Sequence, residues 1–323
     1  MSVLVQQSGN FQKLVGLYEN PLLEYWQDKY TDTMKDSMIS TFFTKEQSDN
    51  ATEAISELVG GPKFGEWKGE FTYGQQKEGN TKVWTPLVWQ AGMAYDRFFL
   101  SNAKLLNLKN QQGKFALAAA RLREYATADV FTNADKANYT RNGVTLNWTV
   151  TADGLPVAST EHPYANAAGT QSNLSTNALS EANLESAMQA MFAFKDEDGN
   201  DANLQPDTLV VPTALRQTAL ELIGGPGKYD TDKNNPNIYY GNVKVIVYKQ
   251  FRKQEGKTDQ PWFIMDSQAA KDSAKLINRL ESGEDFELSS WKKEEVQQWF
   301  FGALQWFSAG IFDFRPYFFN IPA

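Results

Sequence analysis

The chain has 323 residues, 41% of them hydrophobic and 13% aromatic, which excludes global disorder and leaves enough apolar mass for a large core. Its net charge is -8, from 31 Lys+Arg against 39 Asp+Glu, which argues against a dedicated nucleic-acid binder but not against a protein that sits near DNA without gripping it. There is no cysteine, so disulfides and thiolate metal sites are excluded. "MSVLVQQSGN" has no basic region and only a short apolar run, unlike a signal peptide. The most apolar region, Trp299 to Phe319, is interrupted by Gln305, Ser308, Asp313 and Arg315 and falls short of a membrane span. The expectation is a soluble, intracellular protein.

In chain order, "NPLLEYWQDKY" and "ATEAISELVGG" read as short helices, the second stopped by Gly60 and Gly61. Residues 62–84 change character. Phe71 and Tyr73 alternate with polar neighbours, and "GQQKEGN" is turn chemistry. This predicts a long polar β-hairpin with its tip near Glu78, Gly79 and Asn80. Such a hairpin cannot bury itself and needs support, as from another subunit.

Thr85 and Pro86 read as the cap and first position of a helix. Together with "QGKFALAAARLREYATADVF" they predict a helical run over 86–131, broken near Asn107–Gly113. "YTRNGVTLNWTVT" (139–151) reads as β structure. A polar loop, Asp153 to Leu174, carries His162, the only histidine. Ser180 caps a helix whose Leu184, Ala187, Met188, Met191 and Phe192 form one apolar face. "TLVVP" (Thr208 to Pro212) is a short buried strand. Pro212 starts a helix that Gly224 ends. The loop 227–237 reads as a surface insertion. "NVKVIVYK" and "WFIMD" are strands, and the tail from Phe286 reads mainly as β. The order predicts an α+β fold rather than a regular βαβ series.

Tests for chemistry return little. Ser159, His162 and the carboxylates of Asp153 and Glu161 are hydrolase ingredients, but there is no G-x-S-x-G elbow. His162 lies in the composition of an exposed loop, and a structural role is favoured over catalysis. Asp196, Asp198 and Asn200 have the opening spacing of a calcium loop, but Asp201 stands where the glycine is required and Asp207 where the glutamate is. "IGGPGKY", with Lys228, lacks the P-loop spacing. Glu284-Asp285 and Glu294-Glu295 read as solvated runs. No catalytic, cofactor or metal residue is assigned.

Several segments together resemble a known family. They are "KFGEWKGEFTYGQQKEGNTKVW", the run Pro86 to Phe131, "DGLPVASTEHP…SNLSTNALSEANLESAMQAM", "LQPDTLVVPTALRQTALELI", "NIYYGNVKVIVYKQF", "PWFIMD" and "DFRPYFF". Their order resembles the major capsid proteins of tailed bacteriophages, and is similar to the Mu-like head subunit group within the Hong Kong 97-type capsid fold. The resemblance implies an N-terminal arm (1–60), an extended β-hairpin loop (61–85), a peripheral domain with a spine helix (86–179), an axial domain (180–300) and C-terminal strands returning to the peripheral domain (301–323). It implies a structural protein without cofactor, assembling with itself into hexamers and pentamers of an icosahedral head around double-stranded DNA. Scaffold, portal and decoration proteins are the further partners it implies, with the virion as location, host cytoplasm as the place of assembly and no membrane contact. Trp67, Lys68, Glu70, Tyr73, Lys77 and Glu78 are the expected hairpin contacts with a neighbour. A lysine–asparagine cross-link, as in some members of the fold, would draw on Lys63, Lys68, Lys77 or Lys82 and on Asn320. The rival readings are an encapsulin-like shell protein, a hydrolase centred on His162 and a phage tail protein.

Overall fold

The computed structural model describes residues 2–59, 64–67, 69–71, 73–74, 76–102, 105–164, 168–197, 199–227, 237–280 and 284–322. It opens with α1 (Ser2–Lys35), one helix of 34 residues that runs through Pro21. Phe11, Val15, Leu22, Trp26 and Tyr30 recur at helical spacing and all are buried. Burying each such side chain stabilises by about 1.5–3 kcal/mol, which together outweighs the one ladder bond a proline removes. The short helix expected at 20–30 is therefore a piece of a much longer one.

After α2 (Ile39–Phe42) and β1 (Thr44–Gln47) comes β2 (Glu53–Val59), a strand where "ATEAISELV" predicts a helix. Its partner is β3 (Lys77–Trp84), paired from Glu53↔Trp84 to Val59↔Lys77. The hairpin thus exists but is displaced. Glu78, Gly79 and Asn80, the expected tip, lie inside β3, and residues 60–76 make the connection. Gly79 serves close packing across the strands: a Cβ there would stand 2.5 Å from Cγ2 of Val59.

Residues from 86 do not begin a helix. They form β4 (Leu87–Asp96), whose Leu87, Trp89, Met93 and Tyr95 share the inward face of a strand. Two helices follow, α3 (Arg97–Asn102) and α4 (Leu105–Thr132). The expected break near Gly113 is absent: α4 runs through it, and the glycine lies against α1. A Cβ at Gly113 would meet the Tyr25 ring at 3.3 Å. Short strands come next: β5 (Tyr139–Arg141), β6 (Val144–Leu146), β7 (His162–Pro163), β8 (Thr170–Gln171) and β9 (Leu174–Ser175). Helix α5 (Glu181–Phe192) is capped as expected, with the Ser180 side chain accepting from the Asn183 amide. Then come β10 (Thr208–Val211), α6 (Arg216–Ile223) entered through a 3-10 turn after Pro212, β11 (Lys244–Val247) and β12 (Trp262–Met265). The chain ends with α7 (Ser267–Ser273), β13 (Ala274–Asn278), β14 (Glu287–Lys293), β15 (Gln298–Ile311) and β16 (Tyr317–Asn320). The insertion expected at 227–237 falls almost wholly outside the described residues, as does Lys228.

Two five-stranded sheets organise the fold. In the first, β15 pairs on one side with β4 and on the other with β14 along its first half and β13 along its second, and β1 extends the sheet beyond β13. The second has the order β11-β10-β12-β16-β9. Helices α1 and α4 cover the first sheet, through Trp26, Phe115, Tyr95, Trp299 and Phe301. Helices α5 and α6 cover one face of the second, through Leu184, Met191, Ile223, Leu209 and Ile264. Its other face, with Val210, Phe263 and Phe319, packs on Phe131 near the C-terminal end of α4. Strands β10, β12 and β16 are consequently buried on both faces. These pairings differ from the expected division at residue 300. Strand β14 and all of β15 belong with the spine-helix half, while β16 belongs with β10 and β12.

Candidate assembly interface

The hairpin β2–β3 stands on a built root. Lys82 on β3 is buried, and its Nζ donates to the carbonyl oxygens of Trp148, Val150 and Ile311. The Nζ also lies 5.3 Å from the centroid of the Trp84 ring. Burial pulls the Lys82 ammonium down to about 7, against the attraction of Asp153. On β2, Glu57 accepts from Arg315 at 2.8 Å. Arg315 also pairs with Glu197, in the turn after α5, and with Asp313 at 2.9 Å. Glu57 and Glu197 are bonded to each other. Burial first, then Glu197, push Glu57 up to about 8. Against the upward push of burial, the bond from Glu57 and the charge of Arg315 hold Glu197 low. Around a single guanidinium the two carboxyls are thus driven apart in proton affinity, Glu57 upward and Glu197 downward.

Beyond this root the arm's aromatics stand exposed among the described residues. Phe64, Trp67, Phe71 and Tyr73 are exposed, Trp67 by 64% and Tyr73 by 89%, and Trp67 and Phe71 meet edge to face at 5.1 Å. A cluster of bare aromatics marks a binding surface. Of the residues expected here, Trp67, Glu70 and Tyr73 lie on this loop and are exposed. Lys77 and Glu78 lie on β3 opposite Val59 and Leu58, nearer the root. Lys68 lies outside the described residues. Phe64, the most exposed of the four aromatics, was not singled out by the sequence pattern, although its place between Pro62 and Gly65 is a turn signal.

Two of the expected cross-link groups face the wrong way: Lys82 and Asn320 are both buried within the subunit. Lys77 is exposed, and Lys63, like Lys68, lies outside the described residues.

His162 is not in an exposed loop. It is fully buried, stacked on Phe314 with centroids 3.6 Å apart and planes within 1° of parallel. Its Nδ1 meets Asp153 at 2.6 Å and its Nε2 meets Oδ1 of Asn173 at 3.2 Å. The Asn173 amide is oriented by Nδ2, which donates to the carbonyls of Val157 at 2.7 Å and Tyr317 at 3.2 Å. Burial pushes the Asp153 carboxyl up, but hydrogen bonds from His162 and Thr151 outweigh it and hold the group below the usual range. Both ring nitrogens are occupied, so neither can take a proton from Ser159, whose Oγ accepts from the Glu161 amide. The histidine closes the seam between the loop 153–173 and the β15–β16 corner. Asp285 is likewise not solvated. It pairs with the buried Arg123 at 3.1 Å and with Lys45 at 2.5 Å. In the calcium-like stretch, Asp196 accepts from the Asn200 amide at 2.8 Å, which makes it a turn, and Asp198 lies outside the described residues. Among the described residues no three His, Asp or Glu side chains are placed to hold a metal, and no helix is long and apolar enough to cross a membrane.

Solved structures share this architecture. The capsid of Ralstonia phage GP4 is similar at 13% identity and a TM-score of 0.58, over 90% of this chain and 92% of that one. The mature capsid of bacteriophage PhiM1 is similar at 12% identity and a TM-score of 0.56, over 89% and 87%. The capsid of bacteriophage JBD30, decorated with minor capsid protein trimers, is similar at 16% identity and a TM-score of 0.51, over 66% and 90%. At these identities the likeness establishes the Hong Kong 97-type fold, with its hairpin arm and spine helix. No curated protein sequence matches the chain. A family model described as phage capsid protein matches residues 81–315, well over half of the chain, from within β3 through the spine helix and all but β1 and β16 of the two sheets to Arg315. The bare arm thus projects from a member of the phage capsid protein family, and the chain is a structural major capsid protein.

Proposed function

We propose that many copies of this chain assemble into the closed icosahedral head that encloses phage double-stranded DNA, and that each arm docks on a neighbouring subunit. The observation that carries this reading is the arm itself: a firmly anchored root and a loop whose Phe64, Trp67, Phe71 and Tyr73 are all exposed. Trp67, Lys68, Glu70, Tyr73, Lys77 and Glu78, with Phe64 and Phe71, are the contacts proposed. The first sheet with α1 and α4 acts as the peripheral domain. The second sheet with α5 and α6 acts as the axial domain around the axes of hexamers and pentamers. The net charge of -8 suits a wall that confines DNA without binding it. Scaffold, portal and decoration proteins are the remaining partners, and assembly takes place in the host cytoplasm. The protein acts as a structural element rather than an enzyme. Electron microscopy of the expressed protein tests this: closed shells of uniform size are expected, and tubes, trimers or dispersed monomers under all assembly conditions overturn it.

A further inference from the structure

We infer that the Glu57–Glu197 carboxyl pair, gripped by Arg315, is a proton-dependent clasp that holds the root of the hairpin arm to the body of the subunit when the pair shares a proton and loosens when both carboxyls ionise. Three separate pieces of chain meet at this point. Glu57 belongs to β2, Glu197 to the turn after α5, and Arg315 to the corner between β15 and β16. One guanidinium is shared by three carboxyls, because Asp313 takes its Nε at 2.9 Å. Its one positive charge does not neutralise three anions. A proton between Glu57 and Glu197 converts a repulsive contact into a hydrogen bond, and it is available only while the root is docked.

The other titratable groups facing this cleft are Asp153, Tyr164, Asp196 and Asp313. Three of these are acids, so the surroundings add negative potential and favour retention of the proton. The buried cation nearby, Lys82, holds β3 through carbonyl oxygens; burial pulls its ammonium down to about 7, so its own titration favours docking as pH rises and is a contribution common to wild type and carboxyl variants. The sign follows directly. In the undocked root Glu57 has an ordinary carboxyl, whereas in the docked root its affinity for a proton is raised. Docking therefore takes up a proton, is favoured by acid, and weakens as pH rises from the ordinary glutamate range to about 8. Above that the pair is doubly ionised in both states and the dependence ends. The clasp concerns the root of the arm and stands whether or not the arm seats on a neighbour.

Hydrogen exchange of the full, unassembled chain tests this, read as protection factors for residues 53–59 and 77–84 after correction for intrinsic rates. The ratio of wild-type to Glu57→Gln protection is expected to fall by at least about tenfold between about pH 6 and about pH 9, the Lys82 contribution being common to both. Glu57→Gln keeps an amide donor for Glu197 and an oxygen for Arg315, and its protection, left with the Lys82 contribution, is expected not to fall as pH rises. Glu197→Gln removes the second anion and is expected to remove the fall with pH as well, so a folding failure in one variant leaves the other decisive. Helix α4 serves as the reference element, with no such change. Wild-type protection that changes with pH as the variants' does, or protection that falls with rising pH in either variant, overturns the clasp. Shell formation is not needed for this readout, so its failure and that of the assembly reading are separable.

Discussion

Lys82 occupies the space that a side chain on Gly310 would need: a Cβ at Gly310 would stand 2.7 Å from the lysine Nζ and 2.9 Å from Nε1 of Trp84. The glycine on β15 is the floor of the slot into which the arm root plugs. Gly310→Ala is expected to push Lys82 off its three carbonyl partners and to destabilise the subunit by about 1–3 kcal/mol. Chemical denaturation followed by tryptophan fluorescence measures this. An unchanged midpoint shows that the slot is not what holds β3.

Removing His162 leaves Asp153 and Asn173 buried without their partner and opens a void under Phe314. His162→Ala is expected to cost about 3–5 kcal/mol, the range for breaking a buried pair from one side. A hydrolytic role predicts near-normal stability instead. Urea denaturation separates the two.

Arg123 holds the acidic end of the first sheet. It is buried, pairs with Asp285 at 3.1 Å and lies over the Phe307 ring at 4.8 Å. Burial pushes the Asp285 carboxyl up, but Arg123 and Lys45 outweigh it and hold the group below its ordinary 3.8. A depressed carboxyl supplies stability that is present above its unfolded value and is lost as pH falls through the folded one. Wild-type stability should therefore drop on acidification below about pH 4. Arg123→Met should be less stable by about 3 kcal/mol at neutral pH and show a shallower acid limb. Thermal melts at stepped pH check both.

The arm aromatics are largely exposed, so their loss should be nearly silent in the free subunit. Trp67→Ala combined with Phe71→Ala is expected to change stability by no more than about 0.5 kcal/mol. The yield of closed shells in the same preparation should fall sharply. Unchanged shell yield and shell stability sink the assignment of this loop to a neighbour contact.

The readable parts of the sequence were those whose signals are local. Ser180 caps its own helix, and "TLVVP" is apolar because the strand is covered on both faces. The capsid resemblance rested on such landmarks. The unreadable parts depend on partners far along the chain. The inward face of β4 is set by β15, which pairs Trp89 with Gln305 and Tyr95 with Trp299. Leu87, Trp89, Met93 and Tyr95 did carry a two-residue period, but Pro86 offered a competing helix start. His162 is buried by Phe314, and nothing near residue 162 announces that contact. Within the assembly surface, Trp67, Glu70 and Tyr73 were legible as a polar hairpin with unplaced aromatics. The strand register was not, because Gly79 looked like a turn residue and instead accommodates Val59.

The burial of α1 bears on how the particle could be processed. Phe11, Val15, Leu22, Trp26 and Tyr30 share one core with Phe115 and Phe286. A protease that trimmed the chain after Lys35 would strip all five from that core, a loss of about 1.5–3 kcal/mol apiece against a total stability of about 5–15 kcal/mol. The first helix is thus a keystone rather than a removable leader, and any trimming compatible with this fold must stop short of Phe11.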